Sequence, residues 1–315
     1  MSVSFEHLEE SRLILVTGKG GTGKSTLASA IAGFSAARGK KTIVAEIDSF
    51  QTSLDRTLGV TPDFEPKRVR KDLYVCNITW KEALTDWLRS TISGERIVRM
   101  ILKNRVVQLF LDATPGVRET VILSRIHALT REYDQVVVDM PASGHALSIL
   151  RVPHIATSLL GGGPIRERSE EIIELLGDQY TALCIVGIPE EMVVNETIEL
   201  WEKLSEQNRE ISPPMVVLNR SAVPTTTAEE QDLLDNLSGL SDLSEQEQEV
   251  LLAGRIESRL ESATELSMRR LVETIEGRVV SIPRLGAQGG LPAGPLRITE
   301  QMQKTLERIR RRGSA

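Results

Sequence analysis

Short apolar runs rich in β-branched residues recur along the chain, and segments with helical periodicity separate them. The apolar runs predict buried strands, and the helical segments predict crossover connections, because parallel neighbours in a sheet require them. The first helical segment has apolar positions at Leu27, Ile31 and Phe34 and is expected to end at Gly39. The pattern therefore predicts an α/β fold with a mostly parallel sheet covered by helices on both faces. The predicted strands are residues 13–16, 42–45, 73–75, 136–138, 183–186, 215–218 and 279–282.

Two segments are too long to be simple crossovers and predict helical insertions at approximately 81–131 and 226–276. The second insertion carries apolar residues near helical spacing from Leu252 to Ile275, which predicts a long helix lying on the sheet. We see no internal repeat. Residues 1–315 are therefore interpreted as a single domain with an α-helical insertion subdomain.

The composition excludes some classes of protein and makes some ligands unexpected. The 315 residues are 40% hydrophobic, which is enough for a buried core. With 38 Lys and Arg against 44 Asp and Glu, the net charge is −6, and aromatic residues make up only 3%, so nucleic acid is not an expected partner. The two cysteines, Cys76 and Cys184, cannot build a disulfide framework or a zinc motif.

The same features bear on where the protein resides. No apolar run approaches the ~20 residues needed to cross a bilayer, and the low cysteine content is typical of a reducing compartment. We therefore expect a cytoplasmic protein. The basic segment 308–312 adds peripheral contact with anionic lipid as an alternative, beside the simpler interpretation of a solvated helix end favoured by the helix dipole.

A glycine-rich segment directly follows the first predicted strand and fits the phosphate-loop pattern G-x-x-x-x-G-K-S/T. Glycines allow the backbone N–H groups to turn toward an anion at the start of a helix, in conformations that a Cβ forbids. In this pattern Lys24 neutralises the β- and γ-phosphates, and the Ser25 hydroxyl binds Mg²⁺. The predicted nucleotide-binding residues of the loop are Gly18, Gly20, Gly21, Thr22, Gly23, Lys24, Ser25 and Thr26.

Two aspartates end predicted strands at the same edge of the sheet. Asp48 follows the second strand and is expected near the γ-phosphate, where it would position the attacking water. Asp139 ends the run 136–138 and matches the pattern that holds the hydration shell of Mg²⁺ in phosphate-loop enzymes, with Asp134 as a weaker rival. The predicted metal-binding residues are thus Ser25 and Asp139. For either aspartate, the alternative is an ordinary helix cap.

Further motifs resemble one family. Lys19 gives the loop the pattern x-K-G-G-x-G-K-S/T, which resembles the deviant P-loop class of ATPases. From Asp139 to Pro153 the chain resembles switch II of the family that unites arsenite-pump ATPases and tail-anchored-protein-targeting ATPases. Residues 115–119 and 189–192 resemble its P-G-x-x-E and P-E-E-M motifs. The chain is thus similar to ArsA-like ATPases over most of its length, which implies a P-loop NTPase fold of the SIMIBI type.

The resemblance implies an ATPase that uses Mg²⁺ to convert ATP and water into ADP and phosphate. It implies that Lys19 reaches the nucleotide of a second subunit in a homodimer or paralogue heterodimer; the alternative is a solvated surface lysine. It also implies that Asn219 reads the adenine edge and that Pro283 begins the adenine loop, although an Asn after a strand is more often a turn former. The predicted catalytic residues are Asp48, Lys19 and Lys24.

Three biological roles are weighed within this resemblance. The preferred one is targeting or chaperoning of hydrophobic or membrane-protein clients; the others are driving an arsenite or anion pump docked on a membrane transporter, and partition or positioning of cargo. In the targeting branch, the insertion after switch I forms an apolar groove for the client. The candidate segment here is 97–111, whose apolar positions occur almost all round the helix, which favours burial within the protein itself. Its apolar residues include Ile97, Ile101, Val106, Leu109 and Phe110.

The chain also departs from the family pattern. Where the family has D-P-A-H in switch I, residues 49–51 are Ser-Phe-Gln, which leaves the timing of this switch open. The sequence contains neither the zinc-binding C-x-x-C nor the arsenite-binding cysteine cluster of the two branches. It contains one phosphate loop, so two active sites require two chains.

Overall fold

The main sheet of the computed structural model has eight strands, and every predicted strand is among them. The structure describes residues 5–49, 52–106, 109, 114, 116–207, 214–237, 243–275, 278–285, 287–288, 291–292 and 295–313. In chain order the strands are β1 (Leu13–Gly18), β2 (Thr42–Ile47), β3 (Lys67–Arg70), β4 (Leu73–Ile78), β5 (Gln135–Asp139), β6 (Thr181–Gly187), β7 (Met215–Ser221) and β8 (Val279–Pro283). Two further short strands, β9 (Ala287–Gln288) and β10 (Leu291–Pro292), pair with each other.

The helices follow the strands as the alternating pattern predicts. They are α1 (Phe5–Glu10), α2 (Lys24–Ala36), α3 (Leu54–Leu58), α4 (Trp80–Thr91), α5 (Glu95–Lys103), α6 (Val117–Glu132), α7 (Ser143–Leu159), α8 (Pro164–Gly177), α9 (Glu191–Gln207), α10 (Ala228–Leu237), α11 (Glu245–Ile275) and α12 (Pro295–Gly313). None of the helices in the described part of the chain is long and apolar enough to span a membrane.

The strand order is β3-β4-β2-β5-β1-β6-β7-β8, and all neighbours are parallel except β3 and β4. The α/β class and the mostly parallel sheet are thereby confirmed. The antiparallel edge strand β3 is not predicted from the sequence, because Lys67 to Arg70 reads K-R-V-R and lacks an apolar run. Charged residues are typical of edge strands, where they discourage pairing with another chain.

The core consists of two apolar layers, one on each face of the sheet. Along β1, Leu13 and Leu15 face one layer, and Ile14 and Val16 face the other, as the alternation of side chains in a strand requires. One layer is completed by residues of α2 and α12, such as Phe34. The opposite layer receives residues from α4, α6, α7, α8, α9 and α11. Both faces of β1 are therefore buried, which explains why its sequence is a continuous apolar run.

Helices occupy both ranges that the sequence assigns to insertions, α4 to α6 between β4 and β5, and α10 and α11 between β7 and β8. The division into one domain with insertions stays a prediction. Only the C-terminal part of α11 packs on the sheet: Leu271 and Ile275 are buried, whereas Leu252 and Ile256 are exposed. The expectation that the whole helix lies on the sheet is therefore wrong for its N-terminal half.

The expectation that segment 97–111 is buried is also wrong for most of its described apolar residues. Ile97, Val106 and Leu109 are 46%, 75% and 70% exposed, and Met100 is 65% exposed. Ile101 is partly buried and packs against the core, and Val98 is buried. Phe110 lies outside the described residues. Helix α5 therefore anchors one narrow side in the core and presents apolar side chains to solvent.

Candidate active site

The phosphate loop joins β1 to α2 and depends on its glycines. Gly18 has φ +142° and Gly23 has φ +97°, a region that residues with a Cβ rarely adopt. A Cβ on Gly18 would approach the carbonyl oxygen of Val186 to 2.3 Å, and a Cβ on Gly23 would approach Nδ2 of Asn219 to 2.5 Å. The loop therefore packs closely on β6 and β7, and α2 begins immediately after it with its N-terminus at the loop.

Within the loop, the polar side chains bond to the loop's own backbone. Thr22 is fully buried and donates from Oγ1 to the carbonyl oxygen of Lys19 at 2.9 Å. Lys24 donates from Nζ to the same oxygen at 3.1 Å, which folds its ammonium group over the loop. Burial lowers the pKa of Lys24, and the charge of Asp139 opposes that shift. Gly20 is exposed with open space beside its Cα, and Thr26 lies half-buried in the first turn of α2.

Three strands bring the predicted switch residues to one edge of the sheet. Because β5 lies between β1 and β2, the loop after β1 meets the carboxyl ends of both neighbours. Ser25 donates from Oγ to Oδ2 of Asp139 at 2.5 Å, and Ser53 Oγ lies 2.8 Å from Ser25 Oγ. The rival Asp134 precedes β5 at the opposite edge, where its Oδ2 accepts from the Lys41 N–H at 2.8 Å. The structure thus brings Asp139 to the phosphate loop.

The oxygen atoms around Ser25 fit a Mg²⁺ ion. Asp139 is 7% exposed, and its Oδ1 is buried without a hydrogen-bond partner in the described part of the chain. Burial raises the pKa of Asp139, and the hydrogen bond from Ser25 and the charge of Lys24 oppose this shift. No group of three or more His, Cys, Asp or Glu suited to a metal occurs among the described residues. Mg²⁺ in nucleotide sites needs only one or two carboxylates, because phosphate oxygens and waters supply the other ligands.

A second buried carboxylate, Glu46, adjoins this group. The parallel register of β2 and β5 places Glu46 directly beside Asp139. Glu46 is 2% exposed, and its Oε2 accepts from the N–H and the hydroxyl of Ser53 at 3.0 and 3.2 Å. Burial raises its pKa to about 7, and the charge of Asp139 adds to the increase. The sequence analysis missed this residue; its signal is a charged residue inside an otherwise apolar strand.

Asp48 faces a different partner from the one expected. It adopts φ +46°, and its Oδ1 accepts a hydrogen bond from the backbone N–H of Trp80 at 3.1 Å. Trp80 is the first residue of α4, so the carboxylate stabilises one of the unpaired N–H groups at that helix start. Asp48 therefore links switch I to the first helix of the insertion. Its role on the attacking water stays a prediction.

Lys19 has a partner within its own chain. Its Nζ lies 2.6 Å from Oε1 of Glu196 on α9, and both side chains are about one-third to two-fifths exposed. An ion pair at this level of exposure contributes on the order of 1 kcal/mol or less. The contact of Lys19 with the nucleotide of a second subunit stays a prediction.

Asn219 and Pro283 lie on neighbouring strands beside the loop. Asn219 is buried and donates from Nδ2 to the carbonyl oxygen of Thr22 at 2.8 Å, while its Oδ1 accepts from the N–H of Arg220 at 2.9 Å. Arg220 in turn donates from Nη2 to the carbonyl oxygen of Gly21 at 3.0 Å. Both ends of the Asn219 amide thus contact protein and hold β7 against the loop. Pro283 ends β8 and is half-buried.

A cavity of about 380 Å³ opens beside these residues. Its volume is in the range of small-molecule sites. The lining combines apolar side chains with two guanidinium groups and one carboxylate and adjoins the phosphate loop through Arg220. The lining residues are Ile188, Pro189, Glu190, Arg220, Leu260, Arg284 and Leu285.

Residues 11–162 match the family model of the anion-transporting ATPases. The matched segment contains the phosphate loop, Asp48 and Asp139, and it ends before Asn219 and Pro283. Over this segment, just under half of its length, the chain is ArsA-like. The family resemblance inferred from the motifs is thereby confirmed, and the eight-stranded sheet agrees with it. The resemblance to the ArsA-like family implies that the protein binds nucleotide.

Individual relatives of this ArsA-like protein are distant. ATPase BagA of Mycobacterium tuberculosis is 29% identical over 257 residues, which are 77% of this chain and 74% of that protein. A protein of Aquifex aeolicus, provisionally named arsenical pump-driving ATPase 2, is 26% identical over 211 residues, 64% of this chain and 65% of its own. ATPase ASNA1 homolog of Babesia bovis is 25% identical over 242 residues, 66% and 65% of the two chains.

Four residues near the site of this ArsA-like protein are found only from the structure. Glu46 and Ser53 join the group around Asp139, Arg220 binds the phosphate-loop backbone, and Glu196 pairs with Lys19. Glu196 and Arg220 lie far from the loop in sequence, so no local pattern connects them to it. Only the packing of β7 and α9 beside the loop reveals these contacts.

Proposed function

We propose that this ArsA-like protein is a Mg²⁺-dependent ATPase that hydrolyses ATP to ADP and phosphate. The observation that supports this most strongly is the 2.5 Å contact between Ser25 Oγ and Asp139 Oδ2 at the end of the phosphate loop. Asp139 also has a buried oxygen with no hydrogen-bond partner among the residues that the structure describes, as expected of a group that accepts from metal-bound water. When bound, Mg²⁺ would neutralise charge on the phosphate oxygens.

The chain's own residues divide the remaining tasks. Lys24 binds the β- and γ-phosphates from its position over the loop, and the loop N–H groups at the α2 N-terminus bind phosphate oxygens. Asp48 orients the attacking water after it releases the N–H of Trp80. Lys19 exchanges Glu196 for the nucleotide of a second subunit, where a cation is worth about 10³ to 10⁵ in rate. Closure of a dimer, either of two copies or with a paralogue, is therefore needed for fast turnover.

We propose that the nucleobase binds in the 380 Å³ cavity at the carboxyl ends of β7 and β8. Arg220 connects this cavity to the phosphate loop, and Pro283 is directly followed by the lining residue Arg284. Asn219 then acts by holding β7 and the loop together. For its amide to contact adenine, one of its two hydrogen bonds to the protein must break.

Nucleotide binding and phosphate release test the proposed chemistry. We expect the parent protein to bind a fluorescent ATP analogue and to release phosphate only when Mg²⁺ is present, at a rate per chain that rises with protein concentration. Lys24→Ala removes a charge that contacts phosphate and is expected to weaken binding by about 2–5 kcal/mol, roughly 30-fold to several thousand-fold. Absence of phosphate release at high protein concentration with Mg²⁺ would contradict the proposal.

For the biological role, we propose targeting or chaperoning of hydrophobic membrane-protein clients. The supporting observation is the apolar surface of the first insertion, where Ile97, Met100, Val106 and Leu109 are each at least 46% exposed. Exposed apolar residues grouped along one segment mark interaction sites. Peripheral association with a membrane then follows from the client rather than from a spanning helix.

Capture of partners tests this role. Asp48→Asn is loaded with ATP, isolated from native cytoplasm and membranes, and its partners are compared with those of Lys24→Ala by mass spectrometry. Enrichment of single-span membrane proteins is the expected result. Enrichment of a transporter alone, with arsenite-stimulated turnover, would instead favour the pump-driving role. A soluble paralogue as the sole partner would indicate a heterodimer.

A further inference from the structure

On the basis of the proposed Mg²⁺-dependent function, we infer that Glu46 is a second carboxylate of the divalent-cation site. In this position it accepts hydrogen bonds from water bound to the cation and fixes Ser53 beside Ser25. The cation site then consists of two carboxylates and two hydroxyls from β2, β5, the phosphate loop and the segment after switch I.

The backbone brings the two carboxylates together. Glu46 and Asp139 are direct partners in the parallel pairing of β2 and β5, so their side chains leave the sheet on the same face. Ser53 Oγ contacts both of them, at 3.2 Å from Glu46 Oε2 and 3.4 Å from Asp139 Oδ2. The same hydroxyl lies 2.8 Å from Ser25 Oγ, the predicted Mg²⁺ ligand. The Ser53 hydroxyl therefore connects Glu46 directly to the residues that are predicted to hold the cation.

Each carboxylate has one oxygen without a hydrogen-bond partner among the described residues. These atoms are Glu46 Oε1 and Asp139 Oδ1, which are buried on side chains that are 2% and 7% exposed. The backbone N–H groups of Ser53 and Leu54 both act on Glu46, and Oε1 is still left without a partner. A buried carboxylate oxygen that lacks a donor is unfavourable in general. Two such atoms on adjacent strands indicate a ligand that supplies donors to both. A hydrated divalent cation does so, because each of its waters donates two hydrogen bonds.

The charges around Glu46 and Asp139 also favour a bound divalent cation. When ionised, Glu46 and Asp139 place two negative charges side by side on adjacent strands, and the Lys24 ammonium lies near Asp139. A nucleotide adds further negative charge at the same edge of the sheet. A divalent cation balances this excess, whereas a protein that used Glu46 only to hold Ser53 would gain the same bonds from a neutral Gln.

The test measures how strongly a metal ion strengthens nucleotide binding. The dissociation constant of a non-hydrolysable fluorescent ATP analogue is determined with Mn²⁺ and with EDTA, and the ratio of the two values gives the coupling. Glu46→Gln keeps the size and the Ser53 bond but removes the charge. We expect the coupling to fall about 10- to 100-fold, as is typical when a group that orients metal ligands is replaced, while binding in EDTA is unchanged or tighter.

Thermal unfolding of the nucleotide-free protein in EDTA provides a second readout. Because Glu46→Gln removes the repulsion with Asp139, it is expected to raise Tm. Unchanged coupling would overturn the inference, and a lowered Tm in the same variant would then show that Glu46 is a structural residue. If Glu46→Gln does not fold, Glu46→Asp withdraws the oxygens by one methylene, and the coupling is again expected to fall; unchanged coupling in this variant also overturns the inference.

Two controls separate this outcome from failure of the proposed function. Asp134→Asn lies at the opposite edge of the sheet and is expected to keep the full coupling. The parent protein must bind the analogue and bind it more tightly with Mn²⁺. If the parent binds no nucleotide with Mn²⁺ or with EDTA, the proposed function itself is wrong. If the parent binds the analogue more tightly with Mn²⁺ and Glu46→Gln shows the same coupling, only the role of Glu46 is rejected.

Discussion

Glu46 lies at the phosphate-loop edge of the sheet, and Glu261 lies on α11 beside the loop that follows β7. Both are buried, at 2% and 6% exposure. Glu261 accepts four hydrogen bonds, from the N–H and hydroxyl groups of Thr225 and Thr226, and these bonds lower its pKa to about 2. Glu46 has one oxygen without a partner within the described ranges, and burial raises its pKa to about 7.

The difference separates a structural charge from a functional one. A buried carboxylate with enough donors stabilises the fold, because the hydrogen bonds replace the water it has lost. A buried carboxylate with too few donors destabilises the fold until a ligand arrives. Substitutions at the phosphate-loop edge are therefore expected to change nucleotide chemistry, and substitutions around Glu261 are expected to change stability. The following predictions test this separation.

Asp48→Asn is expected to have the largest effect. Loss of a group that positions the attacking water slows turnover by about 10² to 10⁴, while nucleotide affinity is retained. Stability falls by only ~1 kcal/mol, because Asn still accepts from the N–H of Trp80. Phosphate release at saturating ATP and denaturant unfolding measure the two effects. If the variant turns over ATP at the parent rate, Asp48 does not position the water and acts only as a cap of α4.

Glu261→Gln is expected to act on stability alone. The neutral amide accepts hydrogen bonds less strongly than the carboxylate, and its NH₂ group faces a backbone N–H that cannot accept from it. The free energy of unfolding is therefore expected to fall by about 1–3 kcal/mol at pH 7. Urea unfolding measures this loss, and the nucleotide dissociation constant serves as the control. A changed nucleotide affinity would break the separation between the two regions.

The same residue predicts a pH dependence. Because the pKa of Glu261 is about 2 in the folded chain and near 4.5 ordinarily, the unfolded chain takes up the proton first as the pH falls. Its stabilising contribution is present above about pH 4.5 and is lost progressively toward pH 2. Urea unfolding of the parent and Glu261→Gln at pH 6 and pH 3.5 should show the gap between the two proteins narrowing in acid. A constant gap would reject this assignment.

A smaller effect is expected at the ion pair of Lys19. Glu196→Gln removes a partly exposed partner worth about 1 kcal/mol or less, so the protein concentration that gives half-maximal turnover should fall by up to ~5-fold. Glu199→Gln on the same helix breaks the exposed pair with Lys203 and is the matched control. Equal behaviour of the two variants would mean that the contact with Glu196 does not restrain Lys19.

The smallest effect on stability is expected on α5. The double variant Ile97→Gln with Met100→Gln replaces two exposed apolar side chains, and each change should alter the free energy of unfolding by no more than ~0.5 kcal/mol. Basal ATP turnover should remain at the parent level, whereas capture of membrane clients should be lost. Val98→Gln, at a position 2% exposed, is the contrasting variant and should destabilise the protein. If the double variant still captures clients, the client-binding surface lies elsewhere on the protein.

The sequence by itself determined the central strands and the phosphate loop. A strand buried on both faces has a continuous apolar run, as residues 13–16 of β1 and 136–138 of β5 do, and a phosphate loop needs glycines at fixed spacing. Both features therefore leave local patterns in the sequence. The approach of Asp139 to the loop follows as well, because the carboxyl ends of parallel strands share one edge of the sheet.

Only the tertiary structure decided which side chains meet and which remain exposed. The pairing of Glu46 with Asp139 depends on the register between β2 and β5, and the contact of Lys19 with Glu196 depends on where α9 packs. Likewise, the apolar pattern of 97–111 is compatible with burial or exposure, and among its described apolar residues named above Val98 alone is fully buried. Periodicity records the local conformation of a segment, whereas burial and partnership are set by neighbours distant in the sequence.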